Sequence, residues 1–516
     1  MLSSKRLSKR LSKRLSKRLS KRLSKRLSKR LLTTCLVSML LTVGPIFAQE
    51  DEDEPTLWQA PESSLHPENH EGISLSYRLS LGFADHQALA GVALGAELTL
   101  LNASLAFEVP LYATLWDFDE GFRSHALPFC AVLRCDPFVD DRGQFQWTQL
   151  SQILRDVRLG QAEDVFYLRA GPLRFHLGSG ELVDDYVSSP SWNRRISGAY
   201  LKLQWPRVVS IEAMTANILA PQELSAASFS LHPTALFLSD VDNLSSFLNR
   251  FEMGATFAGD LIAPGPTHAS SFLDGTRPIL AAALFSRWPL LSSTSPFSIT
   301  PLVALSTLSG FAGGVPHVDD TSIQSFGLGG RGGADFELRF PYFAFSTSLY
   351  VQYDTAQHRS GLFGSFYRLE RDALVATSSQ GTAVDVMARP LKAGWGGQGS
   401  FSFQVGEVWR VRLRGIWDPD PARHQISLSS TVAYGTFLFR LASQTRPLQI
   451  PGDENPQKIP PFAFAAEAQW AVWGPISLFL NVYRLPSIAP FTSSLHLFGG
   501  VAGRFVLGMR PLEDWF

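Results

Sequence analysis

The sequence predicts an all-β fold, with a single large antiparallel β-barrel of about 16–20 strands over residues 72–516. Three observations predict it. Apolar and polar residues alternate with a period of two in many stretches, as they do in strands with two different faces. Charged residues make up only 18% of the chain, and no run of about 18 apolar residues occurs after residue 50. The last stretch, Leu495–Phe516, is a long alternating strand that ends on two aromatic residues.

The first 48 residues have the order of an export signal. Residues 7–30 are six copies of Leu-Ser-Lys-Arg, a long basic region without an acidic residue. A short apolar core follows at residues 36–43, and Ala48 is a suitable residue before a cleavage point. A basic amphipathic helix is the alternative interpretation of the repeat. We expect residues 1–48 to be a repeat-extended signal peptide.

Residues 49–71 are predicted to be a flexible acidic arm in the periplasm. They begin with acidic residues at positions 50–54 and stay polar and proline-containing. Such a segment cannot bury enough apolar surface to order itself. Calcium binding is the alternative for the acidic run, but no ligand spacing supports it.

Net charge and cysteine spacing limit the partners. The formal net charge is zero, but the first 30 residues hold 14 Lys and Arg, so the rest carries 32 basic against 46 acidic residues. An acidic protein of this kind is not expected to bind nucleic acid. Cys130 and Cys135 are close enough in sequence to form a disulfide after export. No further Cys or His has a matching metal-site spacing, so we expect no metal and no cofactor.

The barrel region opens with three alternating strands. Apolar residues recur at every second position over residues 73–83, 92–100 and 105–115, with short turns between them. Three such strands in sequence predict an antiparallel meander.

Later strands carry charge on one face only. Lys202 alternates with leucines, Glu337 and Arg339 alternate with Phe and Leu, and Arg410, Arg412 and Arg414 alternate with Trp, Val and Leu. A soluble sandwich would bury the apolar face, whereas a membrane barrel turns it toward lipid and fills its lumen with the charged one. We predict a barrel, with a pore lined by Arg410, Arg412, Arg414, Glu337, Arg339 and Lys202.

The three arginines form the most informative constellation. Their spacing stacks three guanidinium groups on one face of one strand. In a pore, such a column lowers the barrier for anions. The alternative is that they pair with acidic residues of neighbouring strands or of a loop, because stacked like charges need counterions.

Aromatic and proline residues mark the predicted turns. Short joints at Trp205-Pro206, Trp288-Pro289, Phe340-Pro341 and Trp473-Gly474-Pro475 suit the periplasmic rim, where the aromatic residues form a girdle. Longer polar joints are placed on the opposite rim, at 117–162, 179–193, 219–225, 259–277, 309–322, 354–393, 418–424, 445–459 and 486–494.

The final strand carries a resemblance to a known class of proteins. Leu495 to Arg510 alternates, and the chain stops on Trp515-Phe516. This resembles the closing strand of bacterial outer-membrane β-barrels, in which a terminal aromatic residue is part of the assembly signal. The resemblance implies an outer-membrane location, contact with outer-membrane lipid, and recognition of Leu495–Phe516 by the barrel assembly machinery. Pro511 to Asp514 depart from the pattern. The long loops and acidic arm are similar to those of surface proteins of spirochaetes and other Gram-negative bacteria.

No catalytic motif stands out. Gly327, Gly329 and Gly332 match G-x-G-x-x-G, but a strand follows them where a nucleotide site needs a helix. Glycines that permit close strand approach are the favoured interpretation. No G-x-S-x-G, H-E-x-x-H or P-loop pattern occurs, so we do not expect an enzyme.

The function expected is an outer-membrane channel or transporter that passes small solutes through a partly basic lumen. One alternative is an adhesin or host-interaction protein that uses long acidic loops on a sealed barrel. A second is a hydrophobic-solute transporter similar to the long-chain fatty acid channel family, although that family's amino-terminal plug with its Asn-Pro-Ala motif is absent here. Fold alone does not decide between them.

Overall fold

The structure is a computed structural model, and it describes the greater part of residues 72–508. The described ranges are 72–84, 87–100, 102–117, 153–162, 164–184, 186–188, 196–205, 208–233, 250–264, 276–291, 295–311, 325–355, 358, 360–364, 367, 393–406, 408–419, 424–445, 462–473, 476–485 and 494–508. The predicted signal peptide with Ala48, the acidic arm, the Cys130–Cys135 pair and the terminal Trp515-Phe516 lie outside these ranges.

Twenty strands form one sheet. They are β1 (Gly72–Ala84), β2 (Gln87–Leu100), β3 (Ala103–Asp117), β4 (Leu154–Leu159), β5 (Phe166–Gly171), β6 (Gly198–Trp205), β7 (Val209–Thr215), β8 (Ser225–Leu231), β9 (Glu252–Pro264), β10 (Thr276–Arg287), β11 (Phe297–Phe311), β12 (Ser325–Phe340), β13 (Phe343–Asp354), β14 (Gly394–Val405), β15 (Trp409–Trp417), β16 (Gln425–Tyr434), β17 (Phe437–Thr445), β18 (Phe462–Trp473), β19 (Ile476–Leu485) and β20 (Ser494–Gly508).

The sheet closes on itself. Each strand pairs antiparallel with the next along the chain, and β1 pairs with β20 from Gly72↔Gly508 to Phe83↔Leu497. Closure gives every strand two hydrogen-bonded neighbours, which a sheet in lipid requires because the bilayer core offers no water to backbone groups. The predicted antiparallel barrel is confirmed, with the strand number at the upper end of the predicted range.

The two faces of the wall differ as the alternation predicts. On the outside, apolar side chains are exposed, as at Leu284 and Leu305, each 64% exposed and opposite one another on β10 and β11. Other exposed outward residues are Leu81, Leu94, Phe257, Leu349 and Val351. A continuous exposed apolar exterior is stable only against hydrocarbon. Among the described residues, no helix combines the length and hydropathy needed to cross a bilayer.

The joints divide between two rims. Most short ones, such as those between β2 and β3, β12 and β13, β16 and β17, and β18 and β19, lie at one rim, and the predicted aromatic-proline joints are among them. The short joint between β1 and β2 is at the opposite rim. The opposite rim carries the joints between β3 and β4, β5 and β6, β13 and β14, and β17 and β18. Short joints face the periplasm in outer-membrane barrels.

One sequence assignment in this part of the chain needs correction. Residues 117–162 were expected to be one loop, but β4 lies inside that range. This strand carries three charged residues, and a bulge between it and β3 at Ala106/Phe107 disturbs its alternation. The sequence analysis did not predict a long joint between β8 and β9, which end and begin at Leu231 and Glu252 on the short-joint rim.

Candidate functional site in the lumen

The joint between β5 and β6 does not stay at the rim but folds into the barrel. We call residues 172–184 and 186–188, which the structure describes, the lumenal loop. Leu177 and Val183 in it are completely buried. A second piece after β13, of which residues 358, 360–364 and 367 are described, lies beside it and is called the lumenal segment. The two touch through a parallel bridge in which Phe363 pairs with Val183.

An apolar core fixes the lumenal loop to one side of the barrel. Leu177, Leu182, Val183 and Tyr186 pack with Phe363 and with inward side chains of β7 to β11. Those wall residues are mostly small and apolar: Met214, Ala226, Ala258, Ile279, Ala281, Ala283 and Leu308. The sequence analysis expected charged side chains to fill the lumen, but the interior is not uniformly ionic. Part of the inner wall is a hydrophobic surface covered by the loop.

A glycine permits the closest approach between loop and wall. Gly178 has a φ of +60°, a conformation that favours glycine. A Cβ at this position would overlap the hydroxyl groups of Ser228 and Thr256 on β8 and β9. The loop therefore reaches the wall through its backbone.

Two buried ion pairs hold the other side of the loop. Glu181 pairs with Arg331 of β12, with Nε 3.0 Å from Oε2 and side chains only 0% and 3% exposed. Asp184 pairs with Arg414 of β15 and accepts a hydrogen bond from Gln398 at 3.1 Å. The loop is thus tied to β12, which is next to β11 in the sheet, and to β15, three strands further along.

The charge on Asp184 is strongly favoured. Burial by itself raises the pKa of this carboxyl, but the Arg414 guanidinium lowers it, as do the hydrogen bond and charge of His176. The outcome is that the pKa of Asp184 lies well below its usual range. The His176 Nδ1 atom is 3.1 Å from Asp184 Oδ1.

A serine, a histidine and an aspartate line up beside the loop. Ser306 Oγ is 2.8 Å from His358 Nε2, and His358 Nδ1 is 2.6 Å from Asp354 Oδ1. This order is that of a hydrolytic triad. However, the Ser306 hydroxyl also donates to Glu181 at 3.0 Å, and Ser306 is only 4% exposed. The contacts join β11, β13, the lumenal segment and the lumenal loop.

A cavity of about 800 Å³ lies against the lumenal loop. Residues from β5 on one side and β15 on the other line it, and these strands are ten places apart in a closed ring of twenty, so the cavity reaches across the barrel. Six arginines and four carboxylates line it: Arg169, Arg174, Arg287, Arg331, Arg412, Arg414, Asp184, Glu252, Asp335 and Glu337.

The six residues predicted to line a pore occupy different positions. Arg412, Arg414 and Glu337 line the cavity, whereas Arg410, Arg339 and Lys202 are not among its lining residues. Arg410 lies one pair further along the same inward face and donates to Gln404 at 3.2 Å. Arg339 pairs with Glu337 at 2.5 Å. Lys202 lies opposite Glu212 in the register of β6 and β7.

The strands beside the arginine column supply hydroxyl and amide groups in place of acids. Arg410, Arg412 and Arg414 face Gln404, Ser402 and Ser400 on β14. On β16 they face Thr431, Ser429 and Ser427. The acid at Arg414 is Asp184, from the lumenal loop. The sequence analysis named a loop as one possible source of counterions for the three arginines. It did not predict that this loop folds into the lumen, which is what brings Asp184 to Arg414.

Comparisons with known proteins give barrels of low similarity. No family model matches the chain, and no curated protein matches it. Among solved structures, CdiB from Acinetobacter baumannii is 7% identical with a TM-score of 0.28, over 84% of this chain and 60% of that one. The outer membrane protein opdK from Pseudomonas aeruginosa is 9% identical with a TM-score of 0.29, over 84% and 98%. A mutant of the ferric enterobactin receptor PfeA from Pseudomonas aeruginosa is 8% identical with a TM-score of 0.35, over 84% and 81%.

These likenesses carry no argument about what the chain does, and its location follows from the barrel itself. The sheet is closed, its exterior is apolar and its charged groups point inward. This is the construction of a bacterial outer-membrane barrel. Among the described residues, no group of three or more His, Cys, Asp or Glu side chains is placed to hold a metal ion.

Proposed function

We propose that this chain is an outer-membrane channel or transporter that passes small polar solutes and favours anions. The observation that carries the proposal is the cavity of about 800 Å³ across the lumen, lined by six arginines and four carboxylates. Cavities of roughly 300–1,000 Å³ hold small organic molecules. An excess of guanidinium groups at a constriction lowers the electrostatic barrier for an anion and raises it for a cation.

The arginine column supports the preference for anions. Its neighbours on β14 and β16 are serine, threonine and glutamine, which can hydrogen-bond to a solute without cancelling the positive charge. A solute that passes the cavity meets Arg412 beside hydroxyl groups. Carboxylate and phosphate groups are the natural ligands of such a surface.

Planar-bilayer recording tests the proposal. The refolded chain should show discrete conductance steps and a reversal potential shifted toward chloride in a potassium chloride gradient. Arg412→Gln should reduce the preference for chloride. The matched control is Arg440→Gln, since Arg440 faces Glu467 at 3.7 Å on the inner wall and is not among the cavity-lining residues.

The alternatives give different results. An adhesin on a sealed barrel predicts bilayers without conductance. A hydrophobic-solute transporter predicts no chloride preference and efflux of fatty acid from loaded vesicles. The charged lining of the cavity favours the polar-solute channel over a hydrophobic route.

We assign no catalytic role to Ser306, His358 and Asp354. Ser306 is buried, is not among the cavity-lining residues, and shares its hydroxyl with Glu181. A carboxylate next to a nucleophilic oxygen opposes the oxyanion that acyl transfer must form. A fluorophosphonate probe should leave Ser306 unmodified in the folded protein, and modification at Ser306 would contradict this assignment.

A further inference from the structure

The lumenal loop contacts the cavity on one side and the lumenal segment on the other. His176, Ser179 and Asp184 are among the loop residues that line the cavity. Leu182 and Val183 are not among the lining residues and are buried, at 2% and 0% exposed. None of the described residues of the lumenal segment lines the cavity. The loop therefore separates the segment from the cavity.

The segment is attached to the loop through its backbone. The Gly361 N–H donates to the Glu181 carbonyl oxygen at 2.7 Å, and the Phe363 N–H donates to the Leu182 carbonyl oxygen at 3.2 Å. Ser360 Oγ also lies 3.1 Å from Glu181 Oε1. The segment therefore holds the stretch of the loop that carries the buried Glu181.

Both ends of the segment are attached to the barrel wall. At one end, His358 Nδ1 is 2.6 Å from Oδ1 of Asp354, the last residue of β13. At the other end, the Tyr367 hydroxyl donates to Asp260 Oδ2 of β9 at 2.7 Å. Four strand intervals, or about 19 Å of wall, lie between β9 and β13. The segment therefore crosses the loop and joins two separate parts of the wall.

Buried aromatic rings strengthen this attachment. Phe363 is completely buried and Tyr367 is 1% exposed, and their rings meet edge to face with centroids 4.9 Å apart. Both belong to the same apolar core as Leu177 and Leu182 of the loop. Buried aromatic side chains contribute strongly to core stability. Moving the loop away from the wall would break these contacts, so the segment restricts the position of the loop in the lumen.

We propose that the lumenal segment sets the width of the cavity by holding the lumenal loop in one position, without contacting the solute itself. While the contacts of the segment are intact, the cavity admits solutes up to a fixed size. When they are weakened, the loop leaves this position for part of the time and larger solutes pass. This inference rests on the proposed channel function and names the element that determines its size limit.

Two variants weaken the attachment to different extents. Tyr367→Phe removes the hydrogen bond to Asp260 and keeps the ring, whereas Phe363→Ala removes a completely buried ring. The matched control is Tyr353→Phe, since Tyr353 lies on β13 but faces outward and is 41% exposed. Heat-modifiable mobility on gels verifies that each variant is folded.

Backbone hydrogen exchange over residues 177–184 reports how firmly the loop is held. Tyr367→Phe should accelerate this exchange about tenfold, because one hydrogen bond to a carboxylate is lost. Phe363→Ala should accelerate it by about a hundredfold or more, because the loss of a buried aromatic ring costs more. Tyr353→Phe should leave the exchange rate unchanged.

Neutral polyethylene glycols of increasing size measure the width of the conducting path in planar bilayers. A polymer small enough to enter the channel lowers its conductance, so the largest polymer with this effect gives the size limit. Phe363→Ala should admit larger polymers than the wild type does. Tyr353→Phe should admit the same sizes as the wild type.

The outcomes separate the two proposals. Faster exchange together with a larger size limit in Phe363→Ala supports the inference. A folded Phe363→Ala barrel with the size limit of the wild type overturns it, whatever the exchange rate of its loop, and leaves the channel in place. A folded wild-type barrel that conducts no ions overturns the channel and the inference together.

Discussion

At the scale of single residues, the contact with the largest expected effect is the one between Asp184 of the lumenal loop and Arg414 of β15. Both side chains are buried, at 8% and 7% exposed. Removing one partner of a buried ion pair leaves an uncompensated charge, which costs roughly 3–5 kcal/mol. We expect Arg414→Gln to destabilise the chain by an amount in this range.

Urea unfolding in lipid vesicles, followed by tryptophan fluorescence, measures this loss. Arg410→Gln is the matched control, since Arg410 lies in the same column and its hydrogen bond goes to the neutral Gln404. We expect it to change the unfolding free energy by about 1 kcal/mol or less. Equal losses in the two variants would show that the loop is not held by this pair.

The same contact makes a prediction about pH. The pKa of Asp184 is held below its usual range, so its contribution to stability is complete above the unfolded pKa of about 3.9 and is lost only as pH falls through the lower folded value. Hydrogen exchange in the lumenal loop should therefore show no loss of protection due to Asp184 between about pH 8 and pH 5.

In Arg414→Gln, burial is no longer opposed by the Arg414 charge, so the pKa of Asp184 rises. Protection of the lumenal loop should then depend on pH within this window. A pH-independent exchange rate in the variant would contradict the assignment of Arg414 as the counterion.

The arginine column also shows what the sequence can and cannot reveal about a site. Alternation with Trp, Val and Leu was sufficient to predict that Arg410, Arg412 and Arg414 share one face. The neighbours that face them could not be predicted, because they depend on the register between strands.

At the scale of elements, the lumenal segment depends on a glycine in the adjacent strand. Gly329 of β12 faces inward, and a Cβ there would overlap the His358 ring. This close approach is consistent with the strand interpretation of the G-x-G-x-x-G run, and it accounts for one of its glycines.

We expect Gly329→Ala to displace His358 and destabilise the barrel by roughly 1–3 kcal/mol through overpacking. Gly332→Ala is the matched control, because a Cβ there has no atom within 4 Å. That variant should be neutral or slightly stabilising. Thermal unfolding in detergent micelles measures both, and a comparable loss at Gly332 would contradict the role given to His358.

Most elements were predictable because rim joints and strands differ in composition. The joints predicted at 354–393, 418–424 and 486–494 end within one residue of the observed limits, 355–393, 418–424 and 486–493. Residues 179–193, which include part of the lumenal loop, were predicted as a rim joint because they are polar. The burial of this loop depends on apolar inward residues such as Ala258 on β9 and Ile279, Ala281 and Ala283 on β10. Both faces of β10 are apolar, so alternation alone does not identify the inner one.

At the scale of the whole molecule, stability depends on the apolar exterior. Leu305 is 64% exposed on β11, and Trp473 is 76% exposed at the end of β18 on the short-joint rim. An arginine on the lipid face costs roughly 2–4 kcal/mol near the bilayer midplane and about 0–1 kcal/mol at the interface.

Leu305→Arg should therefore destabilise the folded barrel in lipid vesicles more than Trp473→Arg does. Folding titrations in vesicles measure both variants. Equal effects, or a chain that folds as a monomer in water without detergent, would contradict the assignment of the exterior to lipid.

The seam between β1 and β20 has a consequence for biogenesis. Paired residues such as Gly72 and Gly508 are separated by nearly the whole described chain. The seam therefore cannot form before β20 has been synthesised. Loop-closure entropy grows only slowly with length, yet pairings so distant form late and slowly. Until β20 pairs with it, β1 has unpaired backbone N–H and C=O groups along one edge, and these can pair with another polypeptide. A truncated product lacking β20 would keep this open edge, and we expect it to aggregate.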